Sequence, residues 1–258
     1  MLDWYVNRKG FANVLADGIR KTAKTIGGNA MEYVRTMPPL IKGLPFGFAM
    51  IIPKYGYIIA MASSVSMGGQ HYLKGNAYSM MKRVPLDQRV KVATELSGIP
   101  NALEWFVPAG KAYLTFIWEN LLTTFDATGI CKFASDYLWK GTIGFNETAE
   151  LLSAATGLKY NVDNLMEIGD RITLTERAYN VREGIKGREH DTIPNQVLES
   201  KFGEKIEKEK FEKMLDEYYL VRGCEKTTGV PTKEKLESMG LGFVADDLTK
   251  RGIKLSEY

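Results

Sequence analysis

Two short segments of this 258-residue sequence carry residue types able to do chemistry. In the first, Asp126-Ala127-Thr128-Gly129-Ile130-Cys131, a carboxylate, a glycine and a thiol stand at fixed spacing just after an apolar, aromatic run from Ala112 to Phe125. The carboxylate can accept hydrogen bonds, the glycine can take a backbone angle other residues resist, and the thiol can ligate a soft metal. On spacing alone the segment also reads as a helix end, with Asp126 facing solvent, Gly129 as a C-cap and Cys131 as a small buried residue. The second segment is Met67-Gly68-Gly69-Gln70-His71-Tyr72, a glycine-rich turn. The imidazole of His71 titrates near neutral pH, so it can move a proton there, or it can simply bond a backbone carbonyl within the turn.

Neither segment completes a metal site by itself. Cys131 and Cys224 are the only cysteines, and iron–sulfur clusters of the common kinds take four protein ligands. His71 and His190 have no metal-ligand spacing to either cysteine. Gly27-Gly28 and Gly68-Gly69 lack the strand, helix and Lys-Ser/Thr context of a phosphate loop. No serine, cysteine or lysine has recognisable nucleophile neighbours.

These residues need a scaffold, and the pattern that supplies it is helical. Helices are expected over Ala12 to Ile26, Leu86 to Leu96, and Ala112 to Thr124, the last with so little polar surface that it belongs in the core. Asn146 is expected to cap a helix running to about Ala155, and a long helix to span Val162 to Glu183, stopped by Gly184. Glu209 to Val221, a short helix capped by Thr232 and ending at Gly240, and Val244 to Arg251 complete the series. In the long helix Asp170, Arg171, Glu176 and Arg177 are spaced for (i, i+3) and (i, i+4) ion pairs, or to anchor neighbouring loops. Alternating β-branched runs bounded by hairpin turns are absent. The expected fold class is all-α, with two packed helical subdomains. Gly and Pro clusters put a soft boundary near residue 45, dividing a helical segment, 1–45, from a helical domain, 46–258.

Composition narrows the function classes. Lys and Arg number 34 against 31 Asp and Glu, a net charge of +3 that argues against nucleic acid as a partner. The densest basic stretch, Lys201 to Lys213, interleaves five Lys with four Glu and reads as a solvated face. Two cysteines fit a reducing cytosol, and no apolar leader follows Met1. Leu44 to Met67 reaches the roughly 20 residues a membrane span needs. Pro53-Lys54-Tyr55-Gly56 breaks it at the centre, where a Lys would cost about 2.5–3.5 kcal/mol. Two buried segments around a turn are expected, and a cytoplasmic protein without a membrane span.

In sequence order the motifs resemble the C-terminal region of tungsten-dependent aldehyde:ferredoxin oxidoreductases. GFANVLADG at Gly10 to Gly18, MGGQHYLKG at Met67 to Gly75 and DATGIC at Asp126 to Cys131 come first. IGDRITLTERAYNVREG at Ile168 to Gly184, HDTIP at His190 to Pro194, YYLVRG at Tyr218 to Gly223 and GVPTKEKLESMGL at Gly229 to Leu241 follow. The resemblance covers essentially the whole chain and implies the family's all-helical C-terminal domains, with residues 1–45 as the end of its middle domain.

It also implies a site. Asp126, Gly129, Ile130 and Cys131 would form the cofactor-binding segment: Asp126 accepting from pterin N–H donors, Gly129 allowing close backbone approach, Cys131 as one of four thiolates on a [4Fe–4S] cluster. His71 resembles the family's active-site histidine. The implied cofactors are a tungsten, or molybdenum, bis-pterin and that cluster, and the implied activity is oxidation of aldehydes to carboxylic acids with ferredoxin as acceptor. The family's three clustered cysteines, second aspartate motif and active-site glutamate have no counterpart here. The implied partner is therefore an N-terminal half that carries them, with this chain inactive alone. Met67 stands where the family usually has an arginine, and Cys224 where it has a tryptophan. The alternatives are a non-catalytic helical remnant or interaction subunit, or part of a related tungsten enzyme that reduces aromatic acyl thioesters.

Overall fold

The central element is α6, Lys111–Thr128, in which Leu114, Ile117, Trp118, Leu121, Leu122 and Phe125 are buried together with Lys111, Thr115, Glu119, Asn120, Thr123 and Thr124. A helix buried over most of its surface has to be surrounded. In this computed structural model α8, Val162–Arg182, α10, Lys208–Arg222, and α4, Ile52–Val65, pack around it. The structure describes residues 1–32, 40–42, 44–45, 52–69, 71–75, 85–134, 143–193, 198 and 205–257.

The remaining elements cover this core. α1 (Leu2–Val6), α2 (Ala12–Leu15) and α3 (Ile19–Ile26) form the N-terminal segment. A two-residue antiparallel pair follows, β1 (Leu40–Ile41) with β2 (Leu44–Pro45), in the register Leu40 to Pro45 and Ile41 to Leu44. α5 (Leu86–Ser97) and α7 (Phe145–Thr156) flank α6, and α9 (Gly187–His190) follows α8. α11 (Lys233–Ser238) and α12 (Gly242–Lys250) pack on α8 through a second apolar cluster that includes Leu174, Val181, Leu236 and Leu248. The all-helical expectation therefore holds, apart from that one short hairpin.

Several boundaries differ from the sequence reading for local reasons. Ala12 to Ile26 is two helices, because Gly18 at φ 90° interrupts it. Asn146 is inside α7, since the Glu147 carboxylate accepts the Gly144 N–H at 2.9 Å and starts the helix earlier. Thr232 caps α11 as expected, its hydroxyl accepting the Lys235 N–H at 3.1 Å. The expected break in the apolar stretch is Gly56, at φ 64° inside α4, after which residues 57–66 are buried. Among the described residues no helix is long and apolar enough to cross a membrane. The boundary placed near residue 45 adjoins residues 46–51, and part of the basic stretch is 201–204; both lie outside the described residues.

The charged residues of α8 do not pair along their own helix. Asp170, Glu176 and Arg177 instead reach other elements. Asp170 meets Arg222 at 2.6 Å and Lys235 at 2.7 Å, Arg177 pairs with Asp191, and Glu176 meets Lys74 at 2.6 Å. Arg222, on α10, also meets Glu119 of α6 at 2.7 Å, so three helices converge on one buried guanidinium, and the helix of Lys235 joins them through Asp170. Arg177 further donates to the Gly229 carbonyl at 2.6 Å, and Asp191 receives Lys42 at 2.7 Å and the Tyr219 hydroxyl at 2.8 Å.

Candidate functional site

α6 ends where the chemistry-bearing segment begins. Gly129 takes φ 75° as the C-cap, and the Ile130 N–H returns to the Phe125 carbonyl at 3.0 Å, which turns the chain sharply out of the helix. A 3₁₀ turn over Lys132–Ala134 follows at once, its first bond running from the Ala134 N–H to the Cys131 carbonyl at 2.8 Å. Cys131 is thereby held on a tight corner with its free thiol exposed. The helix-end reading is right about Gly129 and the exposure of Asp126, and wrong about burial of Cys131. Cys224 is the buried thiol, and loss of water pushes its pKa up to about 11.

Asp126 is not a bare carboxylate. Lys132 reaches back over the turn and meets its Oδ2 at 2.8 Å, the lysine side chain being only 10% exposed and the aspartate 44%. The other oxygen has no partner among the described residues, so it remains open to a donor. Nothing in the sequence pattern singles out Lys132, although it stands next to Cys131.

His71 lies in the loop after α4. Gly69 turns it at φ 72°, and the His71 N–H bonds the Gly69 carbonyl at 2.8 Å. Two contacts fasten this loop to α8: Asn180 donates to the Met67 carbonyl at 2.9 Å, and Lys74 binds both oxygens of Glu176 at 2.6 Å. The ring is exposed, yet the surrounding protein removes enough water to lower its pKa. Lys132 and Lys74 push it the same way, while Asp126 and Glu176 oppose them. His71 thus shares one electrostatic neighbourhood with Asp126 and Lys132, although 55 residues separate it from Asp126.

A cleft of about 720 Å³ opens beside this neighbourhood, between the loop and α8, lined by Met67, Lys74, Ile168, Arg171, Glu176 and Asn180 among others. His71, Asp126 and Cys131 do not line it. Among the described residues no group of three or more His, Cys, Asp or Glu is placed to hold a metal ion. The donors present are one exposed thiol, of a kind suited to a soft metal, and one carboxylate oxygen free to accept an N–H.

Residues 1–241 match the family described as aldehyde ferredoxin oxidoreductase, domains 2 and 3. The chain belongs to that oxidoreductase family. It is 29% identical over 249 residues to the tungsten-containing aldehyde ferredoxin oxidoreductase of Pyrococcus furiosus, a match covering 93% of this chain and 36% of the relative. With the enzyme of the same name from Pyrococcus horikoshii it shares 25% over 244 residues, covering 91% of this chain and 35% of the relative. The chain spans about a third of the length of these curated relatives. The fold is similar to that of the active site complex BamBC of benzoyl coenzyme A reductase in complex with 1,5-dienoyl-CoA. That likeness has a TM-score of 0.74 at 24% identity, over 98% of this chain and 40% of the other.

Proposed function

We propose that this chain is the C-terminal portion of a tungsten-pterin, [4Fe–4S] oxidoreductase that oxidises aldehydes to carboxylic acids, working with an N-terminal half and with ferredoxin in the cytoplasm. The observation that carries the reading is that exposed Cys131 and Asp126, with one open oxygen, stand together at the end of α6, with the Asp126 charge among those that act on His71. In this reading residues 1–45 close the family's middle domain and 46–258 form its last. The tungsten relatives of the same family support the metal.

Each residue then has a task that its surroundings suit. Cys131 offers a thiolate to the cluster from a corner that leaves the sulfur accessible. Asp126 accepts an N–H of the pterin on its open oxygen, and Gly129, at φ 75° with nothing near its Cα hydrogens, leaves room for close approach by Ile130 and its neighbours. His71, favoured as the neutral ring by its surroundings, can accept a proton from the reacting substrate near neutral pH. The bound tungsten-pterin and cluster supply two-electron oxidation of the substrate carbon and its discharge as single electrons. The other donors of the centre come from outside the described residues.

Affinity purification of the chain from cells that grow on tungstate tests the reading. An N-terminal polypeptide is expected to copurify with iron and tungsten, and Cys131→Ser is expected to remove the cluster's electron paramagnetic resonance signal. A colourless chain without such a partner, or a Cys131→Ser complex with unchanged iron, would overturn it.

A further inference from the structure

Exposed apolar side chains are ordinary on a folded surface when they stand singly, and informative when they gather. They gather at the start of this chain. Among residues 1–26 only Ala12, Thr22 and Ala23 are buried, whereas Leu2, Val6 and Ile26 are exposed and Trp4 and Phe11 are 62% and 56% exposed. The helices that carry them, α1, α2 and α3, have 5, 4 and 8 residues and pack chiefly on one another. Helices this short are not stable by themselves, and three buried residues do not make a core.

Between α1 and α2 these side chains line a cleft of about 390 Å³, formed by Met1, Trp4, Tyr5, Lys9, Phe11 and Leu15 among others. The polar side of the same turn is closed on itself. Arg8, held in left-handed backbone at φ 51°, meets Asp17 at 2.8 Å and donates to the Asn13 side-chain oxygen at 3.2 Å. Lys9 meets Asp3 at 2.8 Å. Asp3 and Asp17 are the only carboxylates of residues 1–26, so both are paired with cations of the segment itself. The turn thus fixes α1 against α2 by charges that need nothing further, and leaves the apolar side uncovered among the described residues.

We propose that the apolar face of α1 and α2 is a docking surface for the N-terminal polypeptide of the assembly, and that the cleft receives a large apolar side chain of that partner. A cavity of this volume is at the small end for a ligand pocket, and its Trp and Tyr lining is of the kind that carries binding energy between proteins. The family offers a source for the cover: the segment lies within the residues matched to domains 2 and 3, while the chain spans about a third of the length of its relatives. Because Arg8 and Lys9 are already paired with carboxylates, little charge remains beside the cleft to draw an anionic bilayer. This docking rests on the reading given under the proposed function, which supplies the partner.

The full chain, purified alone and as the complex from tungstate-grown cells, tests the assignment. The partner is identified by its peptide masses as a polypeptide carrying the family's three clustered cysteines. Hydroxyl-radical footprinting is expected to oxidise Trp4 and Phe11 in the isolated chain and to spare both in the complex. Trp4→Gln combined with Phe11→Ser is expected to keep the thermal transition of the isolated chain, because neither side chain supports a core. The same double variant is expected to cut recovery of the partner by about tenfold or more. Leu220→Ser, at a still more exposed position on α10, is expected to leave recovery unchanged.

Equal oxidation of Trp4 in both states, or undiminished recovery with the double variant, would overturn the docking surface while leaving the partner in place. A parent chain that brings down no such polypeptide would remove the reading under the proposed function, and the docking with it. Binding of the isolated chain to phosphatidylserine vesicles, or to a second copy of itself, that the double variant abolishes would give the face to another occupant and reject the assignment. If the double variant loses its helical circular dichroism, the footprint of the unsubstituted complex decides.

Discussion

Lys74 holds both carboxylate oxygens of Glu176 at 2.6 Å across 102 residues of sequence, and so fastens the loop that carries His71 to the longest helix of the fold. The lysine side chain is 13% exposed and the glutamate 36%, which places the pair between a surface bridge and a buried one. Glu176→Gln is expected to lower unfolding stability by about 1 kcal/mol, the upper range for such pairs, and less in high salt. Urea titrations at low and high ionic strength measure this. The same substitution is expected to move the His71 titration down and Lys74→Met to move it up, because the two charges act on the ring with opposite sign.

The buried guanidinium of Arg222 is expected to be far less tolerant. It meets Glu119 at 2.7 Å, Asp170 at 2.6 Å and the Asn120 side-chain carbonyl at 2.7 Å, and it is fully buried. Arg222→Met keeps most of the volume but leaves two carboxylates in the interior without their cation. Breaking a buried pair this way costs about 3–5 kcal/mol. Loss of a cooperative thermal transition, or a fall of that size in urea, is the expected outcome. A change below about 1 kcal/mol would mean that Tyr218 and Lys235 suffice to hold Glu119 and Asp170.

At Gly169 the backbone of α8 lies close against that of α6. A methyl group there would stand 2.3 Å from the Asn120 carbonyl oxygen and 2.7 Å from its Cα, both backbone atoms that cannot rotate away. Gly169→Ala is expected to destabilise the chain even though alanine favours helix by about 1 kcal/mol. Overpacking of this kind costs about 1–3 kcal/mol, and here the obstacle is backbone. At Gly242, where the nearest foreign atom is 4.0 Å away, the same substitution is expected to stabilise by about 0.4–1 kcal/mol. Paired melting temperatures of the two variants check the opposite signs.

What the sequence discloses about this fold is what local rules can see. The apolar run of α6, the Thr232 cap and the turn at Gly129 all rest on residues within one helical turn of each other, and each is found as expected. Chain reversals that depend on one side chain were missed: nothing in the spacing says that Glu147, rather than Asn146, opens α7. The ion pairs of α8 failed for a different reason. Asp170, Glu176 and Arg177 stand at helical spacing, but partners 52, 102 and 14 residues away are better placed and less solvated. Lys132 belongs with them. Its neighbour Cys131 has a residue type that suggests a ligand by itself, whereas the lysine acquires meaning only once the 3₁₀ turn folds it back on Asp126.

Lys111 gives the chain a pH dependence that can be separated from the rest. Its ammonium is buried at the start of α6, donating to the Ala102 and Glu104 carbonyls, and burial lowers its pKa from 10.5 to about 7. Between those values the unfolded chain holds a proton that the folded chain has released. Stability therefore rises with pH across this window, by up to about 1.4 kcal/mol per pH unit, and the gain is lost again as pH falls across it toward 7, below which the slope vanishes. Cys224 acts in the opposite direction, since its thiol is pushed up to about 11 from 9.0, but its influence begins only as the unfolded thiol ionises. Burial lowers the Lys42 pKa as well, so between pH 7 and 8.5 it is the comparison with a variant lacking Lys111 that isolates this lysine. Lys111→Met loses two hydrogen bonds at every pH, which offsets its stability by a constant without tilting it. The difference in unfolding free energy between the parent chain and Lys111→Met is expected to widen by about 2 kcal/mol at most over that range. A constant difference would show instead that the two carbonyls keep the ammonium charged inside the protein, with hydrogen bonding outweighing the loss of water.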